Sequence, residues 1–213
     1  MKRTATIAVV VLAVALGGFS IDVTRPTSVV AKASTPDPGL TGAPSGNGTC
    51  FTCHSGGLND LSGTVQIIGV PASYTPGQDY VMVAAVGAVS GSRWGFEATA
   101  LTGANAMAGS FSDSSNAVGE QTSLGITYVS QTTNEGFDGT YADSTGGAFW
   151  VFRWTAPPVG TGPVTFYAAG VACDKDNTAN AGDFTYTTSA VSGEGSPTAV
   201  EQTTWGKLKT IYR

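Results

Sequence analysis

Residues 149–170 read FWVFRWTAPPVGTGPVTFYAAG. The first seven, 149–155, are mostly aromatic or β-branched, a composition that suits a pleated, half-buried surface. Ala156-Pro157-Pro158 ends that run, because proline removes a ladder donor. Residues 163–169 (PVTFYAA) then start a second strand. Two strong strands joined by a Pro/Gly turn set the reading of the chain.

The same pattern repeats outward from this stretch. Gly63–Ile68 (GTVQII) alternates and is β-branched. Residues 71–78 (PASYTPGQ) form a turn with Pro76-Gly77 at its corner. Residues 79–86 (DYVMVAAV) are apolar on both faces, as a central strand of a two-layer structure would be. Residues 93–101 (RWGFEATAL), 108–111, 126–129 and 183–188 complete the set. About eight strands with no convincing internal helix predict an all-β, antiparallel Ig-like sandwich. Trp94, Phe96, Phe152, Trp154 and Phe166 are its expected core. No internal repeat is present.

The chain has 213 residues, 29 of them glycine, with 12% charged residues and a formal net charge of -5. Its few basic residues form no patch in the body, which argues against a nucleic-acid partner. Lys2 and Arg3 precede a nearly apolar run at 6–19, and Ala31-Lys32-Ala33 offers small residues two apart. This is the pattern of a signal peptide over 1–33, cleaved before Ser34, with an uncleaved anchor as the alternative. Either way the body is expected outside the cytoplasm. No second apolar run is long enough to span a bilayer.

Residues 34–60 form a Pro/Gly-rich lead-in, and 34–48 are not expected to hold secondary structure. Residues 61–190 are the expected sandwich. Residues 191–213 are a linker and a basic amphipathic tail, TTWGKLKTIYR. Trp205 would dock that tail on the domain, or the tail would serve surface attachment.

The lead-in contains SGNGTCFTCHSGG at 45–57. It holds two of the three cysteines, Cys50 and Cys53, and the only histidine, His54. Cys-x-x-Cys-His is the attachment signature of c-type haem. The two thiols add to the two vinyl groups, and the following histidine is then held under the ring to bind iron. Export fits this chemistry, since haem attachment of this kind occurs outside the bacterial cytoplasm. Two other readings compete. A disulfide would join Cys50 to Cys53, or one of them to Cys173. A zinc site would need Cys173 as a fourth ligand.

With one histidine in the chain, the sixth iron position needs another group. Met82 lies mid-strand and is expected in the core. Met107, in the small-residue loop TGANAMAGS, is the candidate distal ligand. A lysine, a water or an open position are the alternatives, and an open position would suit ligand binding or peroxide turnover.

The stretches SYTPGQ, RWGFEATAL, AGSF and FWVFRWTAPPVGTGPVTFYAAG, followed by an Asp/Asn/Gly loop, resemble a Reeler-type domain. They are similar in particular to the bacterial extracellular version known as the choice-of-anchor V domain. There a lead-in like GAPSGNGTCFTCHSGG commonly precedes the sandwich. The resemblance spans about residues 40–190. It implies an extracellular Ig-like sandwich with an anchoring device that differs among members, and it brings no established catalytic activity with it. One departure concerns the site. Similar proteins often carry His-Thr where this chain has Gln131-Thr132, so coordination of iron by two histidines is not inherited here.

Cys173 reads as a buried small residue at a strand end. The loop at 173–183 carries Asp174, Asp176, Asn177, Asn180 and Asp183. These oxygens could bind calcium, although the spacing is not that of an EF-hand and a solvated turn is the plainer reading. No Ser-His-Asp set remains if His54 goes to iron. The sequence therefore predicts an extracytoplasmic monohaem c-type protein that exchanges electrons with an extracytoplasmic redox protein. The flanking glycines would be a flexible mount that holds the haem at the domain edge. The alternatives are an adhesion module with a structural disulfide, and a five-coordinate haem sensor or peroxidase.

Overall fold

A computed structural model describes residues 32, 34–60, 62–113 and 115–196. The signal-peptide expectation, apart from Lys32, and the C-terminal tail with Trp205 lie outside the described residues. Among the described residues, a 3₁₀ turn at Cys50–Thr52 precedes thirteen strands. They are β1 (Gly57–Leu58), β2 (Gly63–Ile68), β3 (Ser73–Tyr74), β4 (Asp79–Ala88), β5 (Arg93–Thr102), β6 (Ser110–Asp113) and β7 (Val118–Ser123). The remainder are β8 (Ile126–Gln131), β9 (Thr133–Asn134), β10 (Phe137–Asp138), β11 (Gly147–Thr155), β12 (Val164–Cys173) and β13 (Phe184–Glu194).

Two sheets face each other. The larger has the order β1-β13-β12-β5-β8-β7, with β3 also pairing to β13, and the smaller runs β2-β4-β11-β6. The long pairings are antiparallel. Among the described residues, only the two-residue strands β1 and β3 pair in parallel, each against β13.

The core forms where alternate residues of the two sheets meet. Met82, Ala84 and Val86 of β4 and Trp150, Phe152 and Trp154 of β11 meet Trp94 and Phe96 of β5 and Phe166 of β12. All five expected core aromatics are at most 1% exposed. The rings lock by edge contacts, as between Trp154 and Phe166, 4.8 Å apart at 75°. Trp154 and Trp150 each donate the indole N–H to a backbone carbonyl, so their burial strands no donor.

Two strands depart from expectation. β4 is not buried on both faces, since Val81 is 54% exposed on the outer side. β7 has no apolar alternation to announce it. Its hairpin to β8 turns through Leu124 (φ 51°) and Gly125 (φ 80°), both left-handed as a two-residue primed turn requires.

The strands covered on both faces are β5 and β12 of the larger sheet. The lead-in lies over their outer side as a third layer. Ala43 packs with Leu101, Ile126 and Tyr128, while Cys50 packs with Ala169 and Val171. Leu40 and Thr41 are also buried. The lead-in therefore has structure of its own, including a bridge between Thr41 and Thr49. The expectation of a flexible mount at the domain edge is corrected: small residues and backbone polar groups let this segment fit closely on the sheet.

Candidate functional site

The 3₁₀ turn sets the first geometry. Thr49 caps it, with its hydroxyl accepting from Phe51 N at 3.2 Å. The amides of Cys53 and His54 both donate to Cys50 O, at 3.1 and 3.0 Å. One tight bend thus gathers Cys50, Cys53 and His54. Gly48 precedes it at φ +120°, where an added Cβ would lie 2.7 Å from Thr52 Oγ1. After the bend, Ser55 N donates to Asn180 O and Gly56 N to Asp183 O, tying the chain to the loop before β13.

The three motif residues line one pocket with a cavity volume of about 140 Å³. Gly95, Gln131, Val171 and Cys173 line it from the outer face of the larger sheet. Gln131 and Val171 pack closely over Gly95, where a Cβ would meet Gln131 Nε2 and Val171 Cγ1 at 3.1 Å.

His54 Nδ1 lies 2.7 Å from Asp183 Oδ2, and the Asp183 side chain is 1% exposed. An ionised carboxylate only accepts, so Nδ1 carries the hydrogen and Nε2 is the ring nitrogen left for a metal. Asp183 also accepts from the backbone amides of Asp174 and Asn180, which fixes it. Cys173 Sγ is 3.9 Å from His54 Nδ1. Burial, with the Asp183 charge beside it, pushes the Cys173 thiol well above its ordinary value. Burial likewise pushes Cys50 up to about 12 and raises Cys53. All three cysteines are free thiols here.

The donor set is of the kind a c-type haem would need: two thiols and an imidazole line one pocket, and a carboxylate orients the imidazole. His54, Cys173 and Asp183 also form a trio whose ligand atoms lie within 4.8 Å of one another, a grouping able to hold a transition metal.

The structure separates Met107 from this site. Met107 bridges back to Leu101, roughly 23 Å along β5 from Trp94 at the strand rise, and packs against apolar core residues. It is not among the pocket residues, so the expected distal ligand is corrected. Met82 is a core residue at 0% exposure, as expected. Gln131 does line the pocket, with Oε1 accepting from Phe96 N at 2.7 Å.

In the Asp/Asn loop most oxygens face donors of the loop itself. Asp176 accepts from Thr178 and Asn180, Asp174 from Asp176 N, and Asn177 from Arg93. The Thr178 hydrogen bonds hold the exposed Asp176 carboxyl below its ordinary value. Sequence reasoning missed Glu97, which is 0% exposed and accepts from the amides of Gly39 and Leu40. A lone glutamate in the apolar strand RWGFEATAL was the available signal.

No protein-family model and no curated protein matches the chain. Among solved structures it is similar to the Reelin-N domain of F-spondin, with a TM-score of 0.45 and 19% identity over 69% of this chain and 96% of that one. A human F-spondin reeler domain gives a TM-score of 0.42 and 19% identity, covering 65% and 94%. AvmM, which catalyzes macrocyclization in alchivemycin A biosynthesis, gives 0.41 and 15%, covering 67% and 94%. Among the described residues, no helix is long and apolar enough to cross a membrane.

Proposed function

We propose that this chain is an extracytoplasmic c-type haem protein that exchanges single electrons with another extracytoplasmic redox protein. Cys50 and Cys53 would hold the haem through thioether bonds, and His54 Nε2 would bind the iron. The observation that carries this reading is the His54–Asp183 contact within the pocket that Cys50 and Cys53 line. Bound there, haem would supply reversible one-electron chemistry. The residues' own part is to hold it. Asp183 fixes the imidazole tautomer and raises its basicity. His54 and Cys53 are partly exposed, which leaves the site within reach of a partner protein.

The test is a pyridine haemochrome spectrum and intact mass of the exported chain made together with haem-maturation machinery. The expected result is one covalent haem per chain, lost in the Cys50→Ala, Cys53→Ala double variant. An unmodified wild-type mass would sink the reading and return the chain to the class of extracellular binding modules.

A second reading has its own observation. Neither Met82 nor Met107 lines the pocket. The iron would then have an open sixth position and would bind small ligands. Carbon monoxide binding to the reduced protein at neutral pH separates an open site from a filled one.

A further inference from the structure

His54, Cys173 and Asp183 come from three separate segments: the lead-in, the end of β12 and the loop before β13. Their ligand atoms all lie within 4.8 Å of one another. His54 Nδ1 is 2.7 Å from Asp183 Oδ2 and 3.9 Å from Cys173 Sγ. Around a tetrahedral zinc-sized ion, bond lengths of about 2.0–2.3 Å place such atoms roughly 3.3–3.7 Å apart. Shifts of under about 1 Å per side chain turn the present spacing into a coordination set.

The backbone holds each of the three in place. Ser55 N donates to Asn180 O and Gly56 N to Asp183 O, which fixes the stretch after His54 against the loop. Cys173 O accepts from Ser92 N. The Asp183 carboxylate is gripped by the amides of Asp174 and Asn180, contacts of the kind that orient a metal ligand. All three residues line the pocket, and its cavity of about 140 Å³ is ample for an ion and its water. The ion would take the place of the Nδ1 hydrogen between the ligands, so Asp183 needs no exposure of its own. A thiol and an imidazole disfavour calcium and magnesium, which take oxygen ligands, and suit zinc and its neighbours.

We propose that the haem-free chain binds a divalent transition ion of the zinc type through His54 Nδ1, Cys173 Sγ and Asp183 Oδ2, with a water from the pocket in the fourth position. On binding, the Cys173 thiol gives its proton to solvent and the His54 hydrogen moves to Nε2. Thiolate and carboxylate then balance the charge of the ion. With Nε2 protonated the ring cannot bind iron, so this site and the haem site exclude each other. The inference stands on the trio alone and does not rest on the haem reading. It differs from zinc held by Cys50 and Cys53, which are not members of the trio.

The experiment uses the full chain made without haem-maturation machinery, freed of metal and kept reduced by a phosphine. Cobalt(II) is the probe, because its absorption reports thiolate ligation, and zinc is added to displace it. Wild type should bind one cobalt with a sulfur-to-cobalt band that zinc removes. The Cys50→Ala, Cys53→Ala double variant should keep the band, and Cys173→Ala should lose it. Asp183→Asn should weaken cobalt binding by about tenfold or more. No band in wild type overturns the inference, as does a band that disappears with Cys50 and Cys53 or persists without Cys173. Should Cys173→Ala not accumulate, His54→Gln decides in its place, and an unchanged band there overturns the inference. Covalent haem is read separately by the haemochrome spectrum, so failure of either reading leaves the other to its own measurement.

Discussion

Asp183 Oδ2 lies 2.7 Å from His54 Nδ1, although 129 positions separate the two residues in the chain. The lead-in supplies the imidazole, and the loop before β13 supplies the carboxylate that orients it. The contact joins two segments that the sequence presents as unrelated loops.

Asp183→Asn should weaken this joint in two measurable ways. Fewer acceptor sites would remain for the amides of Asp174 and Asn180 and for His54, so we expect a loss of about 1–3 kcal/mol in urea unfolding. In the loaded protein the imidazole becomes less basic and favours ferric iron less, so the midpoint potential should rise. A potential at or below wild type would contradict the orienting role.

Cys173 separates haem from a simple metal site. Under the proposed reading Cys173→Ala should load covalent haem like wild type, because the thioether thiols would be Cys50 and Cys53. A transition metal held by His54, Cys173 and Asp183 would instead be lost from the same variant. Haemochrome spectra and elemental analysis of the two proteins decide between them.

Glu97 gives the fold a pH dependence. Burial pushes its carboxyl from an ordinary 4.5 to about 8, against the pull of the amide donors of Leu40 and Gly39. The folded protein therefore holds a proton that the unfolded chain releases at lower pH. This contribution to stability is full below pH 4.5 and is lost as pH rises toward about 8. Urea midpoints of wild type and Glu97→Gln at about pH 5 and pH 8 check it. The wild-type midpoint should fall between the two, and the variant should flatten that fall.

Gly170 is a packing position. A Cβ there would lie 2.5 Å from Val86 Cγ2 and 3.1 Å from Val65 Cγ2, between the two sheets. Gly170→Ala should overpack the sandwich and reduce stability by about 1–3 kcal/mol without altering haem loading. Thermal unfolding of the unloaded protein is the measurement.

The two-layer sandwich was legible because its main strands carry aromatic and β-branched runs bounded by Gly and Pro. Trp94, Phe96, Phe152, Trp154 and Phe166 could be placed in the core from that pattern alone. β7 escaped notice because Gly119, Glu120, Gln121 and Thr122 carry no apolar period. The site was half legible. Local spacing exposed Cys50, Cys53 and His54, but the partners Asp183 and Cys173 come from strand pairing and loop return, which spacing does not encode. Met107 failed as a ligand because a loop of small residues says nothing about which end of the sheet it closes. Glu97 was overlooked because burial of a carboxylate depends on the lead-in that covers it.

That covering layer would also impose an order of events on a newly made chain. In the folded protein Cys50 is 7% exposed, and burial suppresses its thiolate. Under the proposed haem reading, a thioether there would have to form while the lead-in is still off the sheet, so attachment and docking of the lead-in would compete in time. A chain that docks first would persist as a folded, colourless product, so the yield of loaded protein should follow the speed of delivery rather than the affinity of the finished pocket.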